Sequence, residues 1–422
     1  MLDLKFIREN SDIVRQNIIN KNEKTNIENL IELDEKRRLN ISEAQDLKNQ
    51  RNVVSKEIAE LKKAKLESDD KIKAMKEVSG KIKALDDELS KIEQNIQDIQ
   101  LYIPNMAHPS VPFGKTAEDN KEIRTWGTPK EQTVKMDHIE IAKQFGIIDF
   151  ERAAKISGSG FAVYTGKGAK LERALLNFFL DFHTMKSGYE EVMTPFIVNR
   201  KSMIGTGQIP KLEEDMYRIE NDDFYLIPTA EVPITNLHSK EIFKSGELPK
   251  KYCGYSPCFR REAGSYGKDT KGLLRVHQFN KVELVKYVEP EKSYNELEGL
   301  VMDVESVLQA LELPYRVILL CTGDTSFASA MTYDIEVWSP AEKKWLEVSS
   351  CSNFESFQAR RANIRYKPNH DSKPVFVHTL NGSGLATPRI MIAILENYIK
   401  GSNSILIPEV LREYCKFDNI EK

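Results

Sequence analysis

A chain of 422 residues with 40% hydrophobic and 30% charged residues exceeds a single domain of roughly 100–200 residues and can bury a sizeable core. Its 61 basic and 64 acidic side chains leave a net charge of −3, so any contact with nucleic acid has to rest on a local basic patch. No run approaches the ~20 consecutive apolar residues that span a bilayer, which excludes an integral helical membrane protein and leaves no membrane partner to expect.

The start, Met1-Leu2-Asp3-Leu4-Lys5, runs into alternating charges, so no secretory leader is expected. The five cysteines (Cys253, Cys258, Cys321, Cys351, Cys415) are odd in number and form no CxxC pair. That argues against a disulfide framework or a structural zinc site and for a reducing, cytoplasmic setting.

Residues 1–103 contain no proline, one glycine (Gly80) and two aromatics (Phe6, Tyr102). From Leu30 the apolar spacing alternates three and four through Leu33, Ala44, Leu47, Val54, Ile58 and Leu61, with Arg37, Asn40 and Arg51 in the remaining seam slots. A second run is cleaner: Val78, Ile82, Leu85, Leu89, Ile92, Ile96 and Ile99. Sustained heptads with charged flanks predict coiled-coil helices. Between the runs the seam breaks, and Ser68, Asp69 and Asp70 offer helix caps. An antiparallel hairpin is therefore favoured over one unbroken helix paired with another chain. Lys56, Lys62, Lys63, Lys65, Lys71, Lys73 and Lys76 gather near the expected tip, diluted by acids, and read either as a solvated face or as a nucleic-acid contact. Pro104-Asn105 ends the segment, so the expected division is 1–105 and 106–422.

Beyond residue 110 the texture is mixed. A helix is predicted over 168–187, capped by Gly188, followed by strands over 224–227, 251–260, 273–288, 315–320, 333–338 and 345–349 and a helix over 390–398. Short turns rather than helices join most of the strands. That predicts an α+β domain built on an antiparallel sheet, not a doubly wound one.

Three segments carry chemistry. Phe259-Arg260-Arg261-Glu262 leads through a glycine-containing polar loop (264–272) to Val276-His277-Gln278-Phe279 and Glu283. A guanidinium at a strand end beside such a loop suits a phosphate, and Phe279 could stack on a purine, although a solvated hairpin reads almost as well. Neither a P-loop nor a GxGxxG fingerprint is present. In Glu347-Val348-Ser349-Ser350, alternation places Glu347 and Ser349 on one strand face, where carboxylate and hydroxyl oxygens could hold Mg²⁺. Gly382-Ser383-Gly384-Leu385-Ala386 reads as a small-residue turn into a helix that carries Arg389, open to an anionic ligand.

In this order, after Gly188-Tyr189-Glu190-Glu191-Val192-Met193-Thr194-Pro195, these segments resemble the three signature motifs of class II aminoacyl-tRNA synthetases. Gly205-Thr206-Gly207-Gln208-Ile209-Pro210-Lys211, Pro228-Thr229-Ala230-Glu231-Val232-Pro233 and His378-Thr379-Leu380-Asn381 with the helical hairpin resemble the bacterial seryl-tRNA synthetases in particular. The resemblance implies an ATP-dependent ligase that forms seryl-adenylate and transfers it to tRNA(Ser) and, as a family trait, to tRNA(Sec). It implies Thr229, Ala230, Glu231, Glu283 and Ser383 as the L-serine pocket. Arg260, Glu262 and Arg389 become the catalytic groups, and Arg261, Val276, Phe279, Val348 and Ser349 complete the ATP site. Glu347 and Ser350 are implied as holders of Mg²⁺. Ser350 rests on the resemblance alone, since alternation selects Ser349 and a bulge or a bent nucleotide would be needed to reconcile the two. Also implied are a homodimer through the helix before Gly188 and the strand through Pro195, and the hairpin as the tRNA-binding arm. A ligase loading another carrier and a coiled-coil scaffold with an inert domain are the competing classes.

Overall fold

The computed structural model describes residues 1–131, 134–263 and 271–422. Of the polar loop expected over 264–272, residues 264–270 therefore lie outside the described residues. Two compact units result, one made of residues 2–19 and 23–104, the other of residues 1, 20–22 and 105–422.

The first unit is helical: α1 (Leu4–Glu9), α2 (Ser11–Asn20), α3 (Glu28–Lys63) and α4 (Asp69–Gln100). The last two are antiparallel arms, each about 50 Å long at 1.5 Å per residue. Leu30, Ala44, Ile82, Ile92 and Ile96 are buried along their seam, and the polar slots Arg37, Asn40 and Arg51 are half-buried in the same line. The turn follows the expected break. Ala64 closes α3, Lys65 takes φ +57°, and Ser68 stands at the N-cap of α4 without a side-chain bond. Asp69 and Asp70 instead fill the first turn, where the helix dipole favours negative charge. Arg37–Glu93 (3.0 Å) and Lys48–Asp86 (2.9 Å) bridge the arms. Exposed pairs contribute about 0.2–1 kcal/mol each, whereas one buried isoleucine contributes about 1.5–3, so the apolar seam holds the hairpin. The helices α1 and α2, unforeseen in the sequence, bury Ile7, Val14 and Ile18.

The second unit is built on an eight-stranded sheet. Its strands are β1 (Lys121–Trp126), β2 (Glu190–Glu191), β3 (Lys250–Phe259), β4 (Gln278–Val288), β5 (Tyr315–Leu319), β6 (Met331–Ser339), β7 (Lys344–Asn353) and β8 (His378–Ala386). The order is β1-β5-β6-β7-β8-β4-β3-β2, antiparallel except for the short parallel pairing of β2 with β3. Helices α5 (Gly166–Met185), α6 (Ser293–Ala310) and α7 (Thr387–Tyr398) share one apolar core with the sheet. On β4, Val282 and Leu284 point into that core, while Phe279, Lys281 and Glu283 face the other side and line cavities. This two-residue alternation places the chemistry opposite the helices.

Several boundaries move. Residues 273–277, expected as strand, are irregular, and β4 begins at Gln278. Helix α5 ends at Met185, and Gly188 makes a left-handed turn (φ +71°) two residues beyond the cap. The Gly382-Ser383-Gly384 string is strand rather than turn. A Cβ at Gly384 would lie 2.9 Å from the buried His183 ring, whose Nε2 donates to the Gly384 carbonyl at 2.9 Å. Burial lowers that imidazole to about 4, so it stays neutral. All five cysteines are free and buried.

Candidate active site

Two cavities of about 630 and 340 Å³ open on the sheet face away from α5, α6 and α7 and share Arg260, Glu262, Arg275, Lys281, Glu347 and Ser383 in their walls. The larger contains Thr229, Glu231 and Glu283 at its polar end. The smaller contains Val276, Phe279, Val348 and Arg389.

The polar end is assembled from a loop, a short helix and two strands. Thr229 precedes the helix Glu231–Asn236, and its hydroxyl donates to Glu283 Oε2 at 2.8 Å. Lys281 Nζ donates to Thr229 Oγ1 at 2.8 Å and forms an ion pair with Glu283; all three side chains are buried. The Lys281 charge therefore compensates Glu283. Glu231 has less help: Gln358 Nε2 donates to its Oε1 at 2.7 Å, yet burial and the Glu283 charge push its carboxyl up to about 7. A bound cation would restore its ionisation. Ser383 lies across from Glu283 in the β8–β4 register. At this junction β8 carries a bulge, with Lys281 opposite Ala386 but Glu283 opposite Ser383, and Leu385 stands at φ +110°. Ala230 does not line the cavity; it is buried in a cluster with Ile234, Phe243 and Tyr252.

Arg260 lies just past the end of β3, with Nε donating to the Pro228 carbonyl at 3.3 Å and its guanidinium 5.2 Å over the Phe279 ring. Glu262, at φ +51°, turns back into the cavity and accepts from Arg275 Nη1 at 2.7 Å. Arg261 is not brought to this place. Its amide binds the Asp215 carbonyl at 2.9 Å, and its side chain faces a separate depression with Glu213 and Tyr217, because neighbouring residues at a strand end point apart. Arg389 donates from Nη1 to the Glu347 carbonyl at 2.6 Å and from Nε to Leu274 O at 3.3 Å.

Strict alternation fails on β7. Glu347 opposes Glu336 whereas Ser349 opposes Ile335, so Val348 is an extra residue and the strand carries a bulge. Glu347 and Ser350 consequently share the cavity wall. Ser349 is buried, and its hydroxyl donates to Ser383 O at 2.7 Å. The expectation that Ser349 partners Glu347 is thereby corrected. Asp334, opposite Ser350 on β6, has a buried Oδ1 without a hydrogen-bond partner among the described residues, and burial followed by the Glu347 charge raises its carboxyl far above the usual range. The donors here are all oxygens, which suits a hard divalent ion such as Mg²⁺. Among the described residues no group of three His, Cys, Asp or Glu could hold a metal alone, so such an ion would need phosphate oxygens to complete its shell.

Sequence reasoning missed Lys281, Arg275 and Gln358, and Asn381 in the wall of the larger cavity. Lys281 had a signal, since it alternates with Phe279 and Glu283 on one strand. Gln358, on the helix Phe357–Ala362, had none.

Residues 1–107 match the seryl-tRNA synthetase N-terminal domain and residues 212–398 the tRNA synthetase class II core domain (G, H, P, S and T). Over all of both chains the sequence is 53% identical to a serine–tRNA ligase of Carboxydothermus hydrogenoformans. It is 55% identical to one of Chloroherpeton thalassium over 98% of each. A crystal structure of seryl-tRNA synthetase from Pyrococcus horikoshii complexed with ATP superposes with a TM-score of 0.93 at 37% identity, covering 100% of this chain and 99% of that one. The cytoplasmic serine–tRNA ligase of Naegleria fowleri in complex with AMP gives 0.89 at 30% identity, with coverages of 100% and 99%.

Proposed function

The chain belongs to the seryl-tRNA synthetase family, and on that premise we propose how its residues divide the ATP-dependent ligation of serine to tRNA. The observation that carries the division is the junction of two unlike cavities at Arg260. Serine takes the polar end. Its ammonium faces Glu231, and its hydroxyl faces Glu283, which Lys281 and Thr229 hold in place. ATP takes the other cavity, with adenine against Phe279 and Val276 and the phosphates toward Arg260 and Arg389.

The serine carboxylate then attacks the α-phosphorus and pyrophosphate leaves in line. No side-chain nucleophile takes part. Arg260 serves by holding the two reactants together and by meeting charge that grows on the five-coordinate phosphorus. Glu262 fixes Arg275 beside it. Glu347 and Ser350 would hold Mg²⁺ with the phosphates, whose charge the ion would neutralise when bound. A ribose hydroxyl at the tRNA terminus finally displaces AMP from the activated carbonyl.

The acceptor is tRNA(Ser), with tRNA(Sec) a second candidate carried by the family resemblance. The hairpin of α3 and α4 is its binding arm, supported by seven exposed lysines around the tip: 56, 62, 63, 65, 71, 73 and 76. We assign the chain to the cytoplasm; among the described residues no helix is long and apolar enough to cross a membrane. A homodimer through α5 and β2 is supported by Met185 and Met193, 79% and 86% exposed beside those elements. A monomeric mass in an active preparation would contradict it.

Serine-dependent ATP–pyrophosphate exchange tests the division. Phe279→Ala should raise KM for ATP about tenfold, as expected for a lost stacking platform, and leave KM for serine within twofold. Glu231→Gln should do the reverse. Effects on the opposite substrate would reverse the assignment.

A further inference from the structure

Residues 271–277 lead into β4 without regular structure, yet Leu273, Leu274 and Val276 form part of the wall of the smaller cavity. Two side chains hold this backbone. Arg389 takes the Leu274 carbonyl, and one residue earlier the Leu273 amide donates to His138 Nε2 at 3.2 Å. His138 opens the helix His138–Phe145 and is 1% exposed. It is not itself part of either cavity wall.

Acceptance at Nε2 requires a lone pair there, so the neutral ring carries its proton on Nδ1. Nδ1 faces Glu396 Oε1 at 3.6 Å, and neither atom has a hydrogen-bond partner of its own among the described residues. The other oxygen, Glu396 Oε2, is anchored by Ser339 Oγ at 2.5 Å and by the Ala341 amide at 3.4 Å. Glu396 lies on α7 about two turns beyond Arg389, on the same side of the helix. One helix thus reaches the same two residues twice, directly through Arg389 and indirectly through the imidazole. The fit at His138 is tight: a Cβ on Gly272, which stands at φ +59°, would come within 2.2 Å of Nε2.

We propose that His138, oriented by Glu396, is a positioning residue for the nucleotide, a neutral imidazole that fixes the Leu273 amide and with it the wall made by Leu273, Leu274 and Val276. It touches no reacting atom, so its loss should be read in nucleotide binding and not in serine binding. The proposal rests on ATP occupying the smaller cavity.

The test measures KM for ATP and for serine by pyrophosphate exchange in four variants. Glutamine can place an oxygen where Nε2 stands and accept from Leu273, whereas asparagine reaches only the Nδ1 position. His138→Ala and His138→Asn should raise KM for ATP about tenfold, as expected for an orphaned buried amide. His138→Gln should stay within threefold of wild type, and KM for serine should stay within twofold throughout. Equal KM for ATP in the Gln and Asn variants overturns the proposal, as does a rise for serine in step with that for ATP; the Gln and Asn pair decides even if the Ala variant does not fold. Phe279→Ala separates the premises. If it raises KM for ATP while the His138 series leaves it unchanged, the positioning role alone is rejected; if neither changes KM for ATP, the nucleotide assignment is rejected with it.

Discussion

The helical arm and the sheet unit treat polar groups in opposite ways. Along the arm the seam is largely apolar, with Arg37, Asn40 and Arg51 half-buried in it, and the pairs Arg37–Glu93 and Lys48–Asp86 remain partly exposed; at its base Asp34 is buried and paired with Arg8 at 2.7 Å. In the sheet unit Lys281, Glu283, Glu231 and Thr229 are all buried, and each is matched by a neighbour. An arrangement that buries charge is a poor source of stability. It suits a site that must recognise a small charged ligand without water. The outer length of the arm offers shape and surface charge instead. On the division proposed above, serine and ATP chemistry falls to the sheet unit and tRNA recognition to the arm.

The largest expected effect concerns the buried polar end. If Glu283 takes the serine hydroxyl, alanine leaves that carboxylate unsatisfied, and adenylation of alanine should fall about 10⁴-fold below that of serine. Comparable exchange with both amino acids would remove the reason for burying Glu283.

Arg260→Ala comes next. Loss of charge-assisted bonds at the phosphorus should cost about 3 kcal/mol, roughly a hundredfold in pyrophosphate exchange. A variant within a few-fold of wild type would place the phosphate elsewhere.

The arm should respond to a different kind of change. Ile92, buried in the seam of α4, should cost about 2 kcal/mol on replacement by Ala, near thirtyfold in amide exchange within α3 and α4. Pyrophosphate exchange should not move, and a parallel loss of adenylation would tie the two units together.

The smallest effect is a pH dependence. Glu231 is held protonated below about 7 by burial and by Glu283, while a serine ammonium needs its anion. Serine affinity should weaken as pH falls below about 7, by up to tenfold per unit, with a proton released on binding. Calorimetry in buffers of different ionisation enthalpy measures that proton; a flat profile between pH 5.5 and 7.5 would reject the pairing of Glu231 with the ammonium.

Legibility in the sequence followed the same divide. The arm repeats one local rule, so its seam, its turn near Ser68 and even its polar slots could be read from spacing. The sheet unit's strands were also readable, because branched and aromatic runs mark them. Its site was readable only in part. Alternation on β4 holds through Phe279, Lys281 and Glu283, but a lysine next to an acid reads as a surface pair until burial is known. On β7 alternation selected Ser349, and the bulge at Val348 turned Ser350 to the cavity instead. Glycines of β8 suggested a turn, whereas Gly384 is small because His183 packs against it from another element. Arg261 and Ala230 adjoin true wall residues in the chain and face away in space. Most of these misses arise where a partner distant in sequence sets the outcome; α1 and α2 are local helices left unread in the sequence.

The most direct test of this division of labour removes the arm's tip. Residues 56–76 would be replaced by a short turn that rejoins α3 and α4, and exchange and charging would be followed side by side across a salt series. Pyrophosphate exchange should stay within twofold of wild type. Charging of tRNA should fall at least a hundredfold, and its salt dependence should become shallower as lysine–phosphate contacts are lost. Equal loss of both activities, or loss of neither, would contradict the account.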